Sequence, residues 1–419
     1  MDPFVRYLLF FGLLVGLLLS LSSPKSAQAE SSSKVGLRPD APTYAVHGPY
    51  WVGVQDHAIT FNYPDGMTRE SRVAIWYPAG PPADESATFT YPAEPRVVEY
   101  GGPLYFPRLG QAYLDAAPAV EAAPYPLIIY SHGGWGYRWF QPEYVEHLAS
   151  YGFVVLATDH EDAPPFGPML PHFELSRQWD VTQLIDYATQ ITAKGGALAG
   201  VIDTEHIGVT GYSAGGFTAL LAGGARISPQ AKVDWCASEE TRNSWIWPLL
   251  CTDLEARGES WKKLLGWPEV PGDLWPPVGD PRVNTIVSID GGAHDFGVQG
   301  IDAITMPALM LFARGAPGSI PYDHDSLLQA VHRDHQAVAV FEYANHGIFH
   351  PKCLDNMITA ETFEHCAEPV WDIARAHDLT NHLATAFLLD ILKSDTDAHT
   401  ALLTENVSFP GITYETTMK

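Results

Sequence analysis

The stretch "IGVTGYSAGGFTALLAGG", residues 207–224, places one serine, Ser213, between glycines. The short β-branched run before it is typical of a buried strand, and the Ala-, Leu- and Gly-rich run after it favours a closely packed helix. A serine at such a strand-to-helix turn has the setting of a nucleophile elbow, where small residues at 211 and 215 let the flanking backbones approach. The alternative is a glycine-rich turn with an ordinary capping serine. We predict that Ser213 is a nucleophile, which requires a base and an acid elsewhere.

Six apolar runs of strand length occur along the chain, each ending in Gly, His or Asp, with helix-like segments between several of them. This alternation predicts the α/β class with a mainly parallel, doubly wound sheet, whose active residues gather at the carboxyl ends of the strands. A Pro-Asp-Gly turn at 64–66 predicts a hairpin ahead of them. The six runs are "PLIIYSHGG" (126–134), "YGFVVLATDH" (151–160), "HIGVTGYSAGG" (206–216), "VNTIVSIDGG" (283–292), "MPALMLFARG" (306–315) and "AVAVFEYANHG" (337–347).

Residues 234–280 interrupt the alternation and carry six of the twelve tryptophans and many prolines. We predict one domain over 46–419, with this Trp-rich segment as a cap-like insertion that forms an apolar wall where it borders the site. The alternative is that the tryptophans only bury the insertion against the domain.

The N-terminus has the pattern of a secretory signal. Arg6 precedes an apolar run over 7–21, and a polar stretch ends in an Ala-Gln-Ala site at 27–29. We predict a signal peptide over 1–29 and a flexible tail over 30–45. The apolar run is short for a membrane span, so we expect a secreted or periplasmic protein; an uncleaved anchor is the alternative.

A formal net charge of -25 argues against nucleic acid or an anionic membrane as a partner. Export permits disulfides, and the four cysteines fall into two close pairs. Four cysteines allow three connectivities, of which we prefer the local one, Cys236 with Cys251 and Cys353 with Cys366.

Five motifs, taken as an ordered set, resemble a known group. They are "VAIWYPA" (73–79), "SHGGWG" (131–136), "HLASYGFVVLATDH" (147–160), "GYSAGGFTAL" (211–220) and "YANHGIFHPKC" (343–353). The chain resembles exported α/β-hydrolases of the platelet-activating-factor acetylhydrolase and dienelactone-hydrolase-like kind over most of residues 48–393. The resemblance implies an α/β-hydrolase fold and a serine-dependent ester hydrolase that needs no metal or organic cofactor. The insertion matches no pattern of the group.

The predicted base is His346, which follows the last strand-like run and aligns with the histidine of the group. It lies downstream of Ser213, as the order Ser, acid, His requires. His350 is the nearest competitor. The predicted acid is Asp290, which ends the run "TIVSIDGG", where the acetylhydrolase branch carries its acid. The alternative acid is Asp323, the first carboxylate after the next strand-like run.

The dienelactone-hydrolase-like pattern puts Pro317 at the position where an acid usually follows that next run. Asp323 lies six residues further on, so its side chain would have to extend far to reach the histidine. An Asp before Gly, as at Asp290, also occurs as a simple turn cap. The alternatives for the acid therefore stay open at the level of sequence.

The predicted oxyanion hole combines the N–H of Ala214, the residue after the nucleophile, with a donor from the turn after "PLIIYSHGG". The resemblance places that donor at Gly134, with Trp135 next in line, and makes His132 a structural residue. We expect a secreted serine carboxylic-ester hydrolase that acts through an acyl-enzyme on small-molecule, lipid-like or polyester substrates. The alternatives are an amidase or peptidase with the same triad, or a binding protein on an inactive hydrolase fold.

Overall fold

The computed structural model describes residues 41–419 except 65, 94–106, 161–171, 245–246, 252–253, 317–320, 330, 352–367 and 369, and except the side chains of 248–249. The predicted signal 1–29, most of the tail and the pair Cys353 and Cys366 therefore lie outside the described residues. Within the last part of the predicted tail, Tyr44 is buried with its ring stacked on His382 at 5.6 Å. Residues before position 46 therefore also pack against the folded domain.

The predicted mainly parallel sheet is confirmed. Among the residues that the structure describes, ten strands form one sheet, and the strands named here β6 to β11 are mutually parallel where they pair. The strands are β1 (Trp51–Asn62), β2 (Thr68–Ala79), β3 (Thr90–Tyr91), β4 (Arg108–Leu109), β5 (Tyr113–Leu114), β6 (Tyr125–Ser131), β7 (Val154–Thr158), β8 (Ile202–Tyr212), β9 (Thr285–Ile289), β10 (Ala308–Gly315), β11 (Gln336–Ala344) and β12 (Ile412–Thr416).

The order across the sheet is β12-β11-β10-β9-β8-β6-β7-β2-β1-β5, and β3 pairs separately with β4. The predicted hairpin is present, since β1 pairs antiparallel with β2 from Trp51 opposite Ala79 to Asn62 opposite Thr68. β12 adds an antiparallel edge to β11. The carboxyl ends of β6 to β11 therefore meet along one edge, where the candidate residues lie.

Helices cover both faces of the sheet, which explains why every residue of β6, β7 and β9 is buried. Successive β6 residues enter different core clusters: Ile128 packs on one face, Leu127 and Ile129 on the other. The helices are α1 (Pro142–Ser150), α2 (Phe173–Thr192), α3 (Ala214–Ala222), α4 (Pro229–Ala237), α5 (Glu239–Arg242), α6 (Trp247–Leu250), α7 (Leu254–Leu265), α8 (Gly297–Asp302), α9 (His324–Gln329), α10 (Ile373–Lys393) and α11 (Thr396–Ala401).

The Trp-rich insertion packs firmly on the domain. Trp261 and Trp275 are 0% and 1% exposed within the core cluster of one sheet face, with ring centroids 5.1 Å apart. On α7, Arg257 Nη1 lies 2.6 Å from Glu174 Oε1 and 2.5 Å from Asp295 Oδ2. These two tryptophans therefore bury the insertion against the domain, as the alternative interpretation expected.

The predicted bond between Cys236 and Cys251 is present and links α4 to the residue after α6. It closes a loop with a sequence separation of 15 within the insertion. Among the described residues, no helix combines the length and the apolar character that crossing a membrane requires.

Candidate active site

Ser213 lies at the sharp turn between β8 and α3 with φ 57° and ψ -119°, a conformation that non-glycine residues rarely adopt. Its N–H donates to Ile289 O at 2.8 Å, and its side chain makes no helix-capping hydrogen bond. A Cβ on Gly215 would lie 1.8 Å from Ser131 O, and one on Gly211 2.4 Å from the same atom. Both flanking glycines are therefore required by the close approach of β6.

His346 begins the 3-10 turn His346–Phe349 after β11. Its Nε2 lies 2.9 Å from Ser213 Oγ, and its Nδ1 forms a short hydrogen bond with Asp290 Oδ2. The imidazole stacks on Tyr212, with ring centroids 4.8 Å apart. His350, the competing histidine, packs edge-on against the same tyrosine at 5.3 Å. The structure thus brings together the predicted nucleophile, base and acid.

Asp290 is 1% exposed and lies directly after β9 with φ 51°, a left-handed conformation that Asp tolerates better than most residues. Its Oδ1 accepts the Ala313 N–H at 3.0 Å, and His324 Nε2 lies 3.3 Å from the same oxygen. Burial opposes ionisation of the carboxyl. The charges and hydrogen bonds of His346 and His324 outweigh burial, so the pKa of Asp290 lies below its usual range. Asp290 is therefore an ionised acceptor at neutral pH.

Asp323, the alternative acid, caps α9 instead. Its Oδ1 accepts the Ser326 N–H at 3.3 Å, and its Oδ2 accepts the Ser326 hydroxyl at 2.5 Å. The structure does not join Asp323 to His346 by a hydrogen bond. Pro317, which stands where an acid usually follows β10, lies outside the described residues.

The turn after β6 lies beside Ser213. A Cβ on Gly133 would be 3.4 Å from Ser213 Cβ, whereas one on Gly134 would meet no atom within 4 Å. Gly134 therefore borders open space, and Trp135 after it has φ 58°. The N–H of Ala214 belongs to the first turn of α3, where helix geometry supplies no acceptor. Both predicted oxyanion donors thus belong to backbone that borders the serine.

His132 has both ring nitrogens occupied by the protein. Its Nδ1 donates to Gly133 O at 2.7 Å, and its Nε2 accepts the His160 N–H at 3.2 Å. Burial, together with the charges of His160 and Arg177, holds the pKa of His132 well below its usual range. The neutral ring therefore holds the turn in place, in keeping with a structural residue.

Tyr322 also borders the site, although the sequence analysis assigned it no role. Burial raises the pKa of its hydroxyl, an effect that the nearby Ser213 side chain opposes, and its ring meets His346 edge-on at 5.5 Å. The Tyr322 ring also contacts His324 at 5.7 Å and His294 at 5.3 Å, and the His294 ring lies 4.5 Å from Trp235 of the insertion. The run "PYDHD" (321–325) could have indicated Tyr322, because it places aromatic and titratable residues just beyond the carboxyl end of β10.

A cavity of about 830 Å³ extends from Tyr322 between the insertion and the start of α9. Such a volume accommodates a small-molecule ligand. Its lining includes Trp235, Ser238, Glu240, Thr241, Arg314, Tyr322, Asp323 and Asp325. Among the residues that the structure describes, no group of three or more His, Cys, Asp or Glu side chains could hold a metal ion.

Two comparisons with known proteins found similar proteins, and a third found none. Residues 111–166 match the family model of platelet-activating factor acetylhydrolase, isoform II. No curated protein matches the chain. A solved ferulic acid esterase from Streptomyces cinnamoneus matches with a TM-score of 0.56 and 20% identity, over 91% of this chain and 99% of that chain. At this identity the likeness establishes the fold. The chain therefore has the α/β fold of a solved esterase, with a short stretch that is similar to platelet-activating factor acetylhydrolase.

Proposed function

We propose that the protein is a serine carboxylic-ester hydrolase with Ser213 as nucleophile, His346 as base and Asp290 as orienting acid. The observation that carries the proposal is the hydrogen-bonded chain from Ser213 Oγ through both nitrogens of His346 to Asp290. An ionised carboxylate only accepts hydrogen bonds, so Nδ1 of the imidazole carries the proton. Nε2 is then left as an acceptor for the serine proton, as acyl transfer requires.

In the proposed reaction, Ser213 Oγ attacks the ester carbonyl carbon while His346 Nε2 takes the hydroxyl proton. The N–H groups of Ala214 and Gly134 receive the oxyanion of the tetrahedral intermediate; each such donor is worth about 2.7 to 4 kcal/mol in the transition state. The carbon–oxygen bond to the alcohol then breaks, and His346 gives its proton to the leaving oxygen. Water repeats the sequence on the acyl-enzyme, which releases the acid and restores the serine.

The substrates we propose are small-molecule esters, lipid-like esters or polyesters. The aromatic series Trp235, His294 and Tyr322 supports an apolar group beside the nucleophile, since it connects the insertion to His346, which is hydrogen-bonded to Ser213. The disulfide of the insertion supports export to an oxidising compartment after removal of residues 1–29. A series of nitrophenyl esters of increasing acyl length would define the preferred acyl group.

The proposed activity is tested with the purified mature protein, nitrophenyl esters, matched nitroanilides and a fluorophosphonate probe. We expect hydrolysis of the esters only, and probe labelling that disappears in Ser213→Ala. Comparable hydrolysis of the anilides would instead favour the amidase or peptidase alternative. A wild-type protein that the probe fails to label would favour a non-catalytic binding protein.

A further inference from the structure

A second Ser-His-Asp chain lies behind the candidate site. Ser131 Oγ is 2.9 Å from His160 Nε2, and His160 Nδ1 is 2.7 Å from Asp180 Oδ2. The three residue types are the same as in the set Ser213, His346 and Asp290. In both sets, Nε2 of the histidine faces the serine and Nδ1 faces the aspartate. The three side chains belong to residues that are only 1% to 2% exposed, so an ester carbonyl has no access to Ser131. We therefore look for the role of these three hydrogen-bonded residues in the groups that they hold in place.

The direction of each hydrogen bond follows from the acceptors. Asp180 Oδ1 accepts the Tyr63 hydroxyl at 2.6 Å and Arg69 Nη2 at 3.1 Å, so the carboxylate is held by β2 and by the residue after β1. Its Oδ2 accepts from His160 Nδ1, which leaves His160 Nε2 to accept the hydroxyl proton of Ser131. The chain of bonds thus runs from α2 through the end of β7 to the last residue of β6.

The turn that follows Ser131 is fixed by the same neighbours. Arg177 Nη1 of α2 donates to His132 O at 2.6 Å, and the His160 N–H donates to His132 Nε2 at 3.2 Å. His132 Nδ1 donates in turn to Gly133 O at 2.7 Å. Every one of these groups is buried, and a buried donor left without an acceptor destabilises the fold, which favours one arrangement of the turn. The next residue, Gly134, carries the proposed oxyanion donor.

We propose that Ser131, His160 and Asp180 form a positioning relay that sets the Gly134 N–H relative to Ser213 Oγ. The inference rests on the proposed function. An oxyanion exists only in the transition state and the tetrahedral intermediate, so a displaced donor lowers kcat and leaves KM unchanged. A purely structural role would lower thermal stability and leave kcat per active site unchanged.

The test compares relay variants with a matched control. Ser131→Ala removes the hydroxyl donor, and Ser131→Cys keeps a side chain of similar shape with a weak S–H donor. We expect Ser131→Ala to lower kcat for nitrophenyl acetate by about 10- to 100-fold, somewhat less than the loss of a whole oxyanion donor. KM should stay at the wild-type value, and Ser131→Cys should recover part of the loss. The shape of the pH profile should not change, because His346 is untouched.

His160→Gln provides a second variant, and His147→Gln is its control. His147 is an equally buried histidine on α1 whose Nε2 donates to Tyr44 O at 2.8 Å, away from the turn. We expect both to melt at lower temperature, and only His160→Gln to lose kcat after active sites are counted by phosphonate titration.

The relay is overturned if Ser131→Ala and His160→Gln lose no more kcat than His147→Gln, or if KM rises while kcat stays constant. Phosphonate labelling of Ser131 in Ser213→Ala would also overturn it. Ser213→Ala separates the two proposals. If that variant is inactive while Ser131→Ala has wild-type kcat, only the relay fails. If Ser213→Ala keeps its activity, the proposed function fails and the relay fails with it.

Discussion

Replacing Asp290 by asparagine tests the predicted acid directly. In the wild type, Oδ1 accepts the Ala313 N–H at 3.0 Å and Oδ2 accepts from His346 Nδ1. In Asp290→Asn the amide oxygen can keep the first bond, which places the amide nitrogen against His346. Since an amide nitrogen only donates, Nδ1 must accept, and the ring proton moves to Nε2, where it faces Ser213. The base is then unable to take the serine proton.

The expected loss is large. The wrong histidine tautomer in a serine triad lowers kcat by about 10⁴, the value known for a serine protease, and this equals about 5.5 kcal/mol at 1.36 kcal/mol per tenfold. Stability should change as well. Because the pKa of Asp290 is lowered by folding, the stability that its ionised form contributes is present above the ordinary Asp pKa of about 3.9 and is lost as the pH falls below it. Wild-type and variant stabilities should therefore converge in acid.

The assay measures kcat on nitrophenyl acetate, with circular dichroism and a thermal melt to show that each variant is folded. Asp323→Asn is the matched control. Asp323 accepts from the N–H and hydroxyl of Ser326, and asparagine caps helices equally well, so this variant should keep the wild-type kcat. A wild-type kcat in Asp290→Asn would refute the reasoning, and the reverse ranking, with activity lost in Asp323→Asn alone, would move the acid to Asp323.

Three further predictions concern Trp235, the disulfide and the buried carboxyl of Glu146. Trp235→Ala should lower activity on long-chain esters more than on acetates, because Trp235 is part of the aromatic series that leads to Ser213; an equal loss on both would instead indicate a folding role. Cys236→Ser opens the loop of 15 residues and should cost about 3 kcal/mol in the chain-entropy model, so an unchanged melting temperature would contradict it. Glu146 of α1 is buried and accepts hydrogen bonds from the Tyr91 hydroxyl and from the N–H groups of Gln111 and Ala112; burial outweighs these bonds and raises the pKa of Glu146 to about 7. The folded protein therefore holds this proton above the ordinary Glu pKa of about 4.3, so wild-type stability towards urea, measured relative to Glu146→Gln, should fall by about 3 kcal/mol as the pH rises to 7.

Local sequence patterns determined much of the fold and of the candidate site. The strand-like runs and the hairpin turn predicted a mainly parallel sheet with an antiparallel hairpin. They could do so because strands and helices that alternate with these lengths can pack in only a few ways. The motif around Ser213 predicted the elbow, since both flanking glycines are needed wherever a strand approaches so closely. Positions at the ends of strands also brought His346 and Asp290 into consideration, because the carboxyl ends of parallel strands share one edge.

Only the tertiary structure decided between chemically equivalent residues. Asp290 and Asp323 are both carboxylates after strands, and the direction of the chain beyond each strand decides which one meets His346 and which one caps a helix. In the same way, Trp261 and Trp275 of the insertion lie in the core, whereas Trp235 lines the cavity. Ser131 and Asp180 are 49 positions apart in the sequence, and no local pattern joins them through His160. Such contacts depend on how separate elements pack through space, which composition and periodicity do not encode.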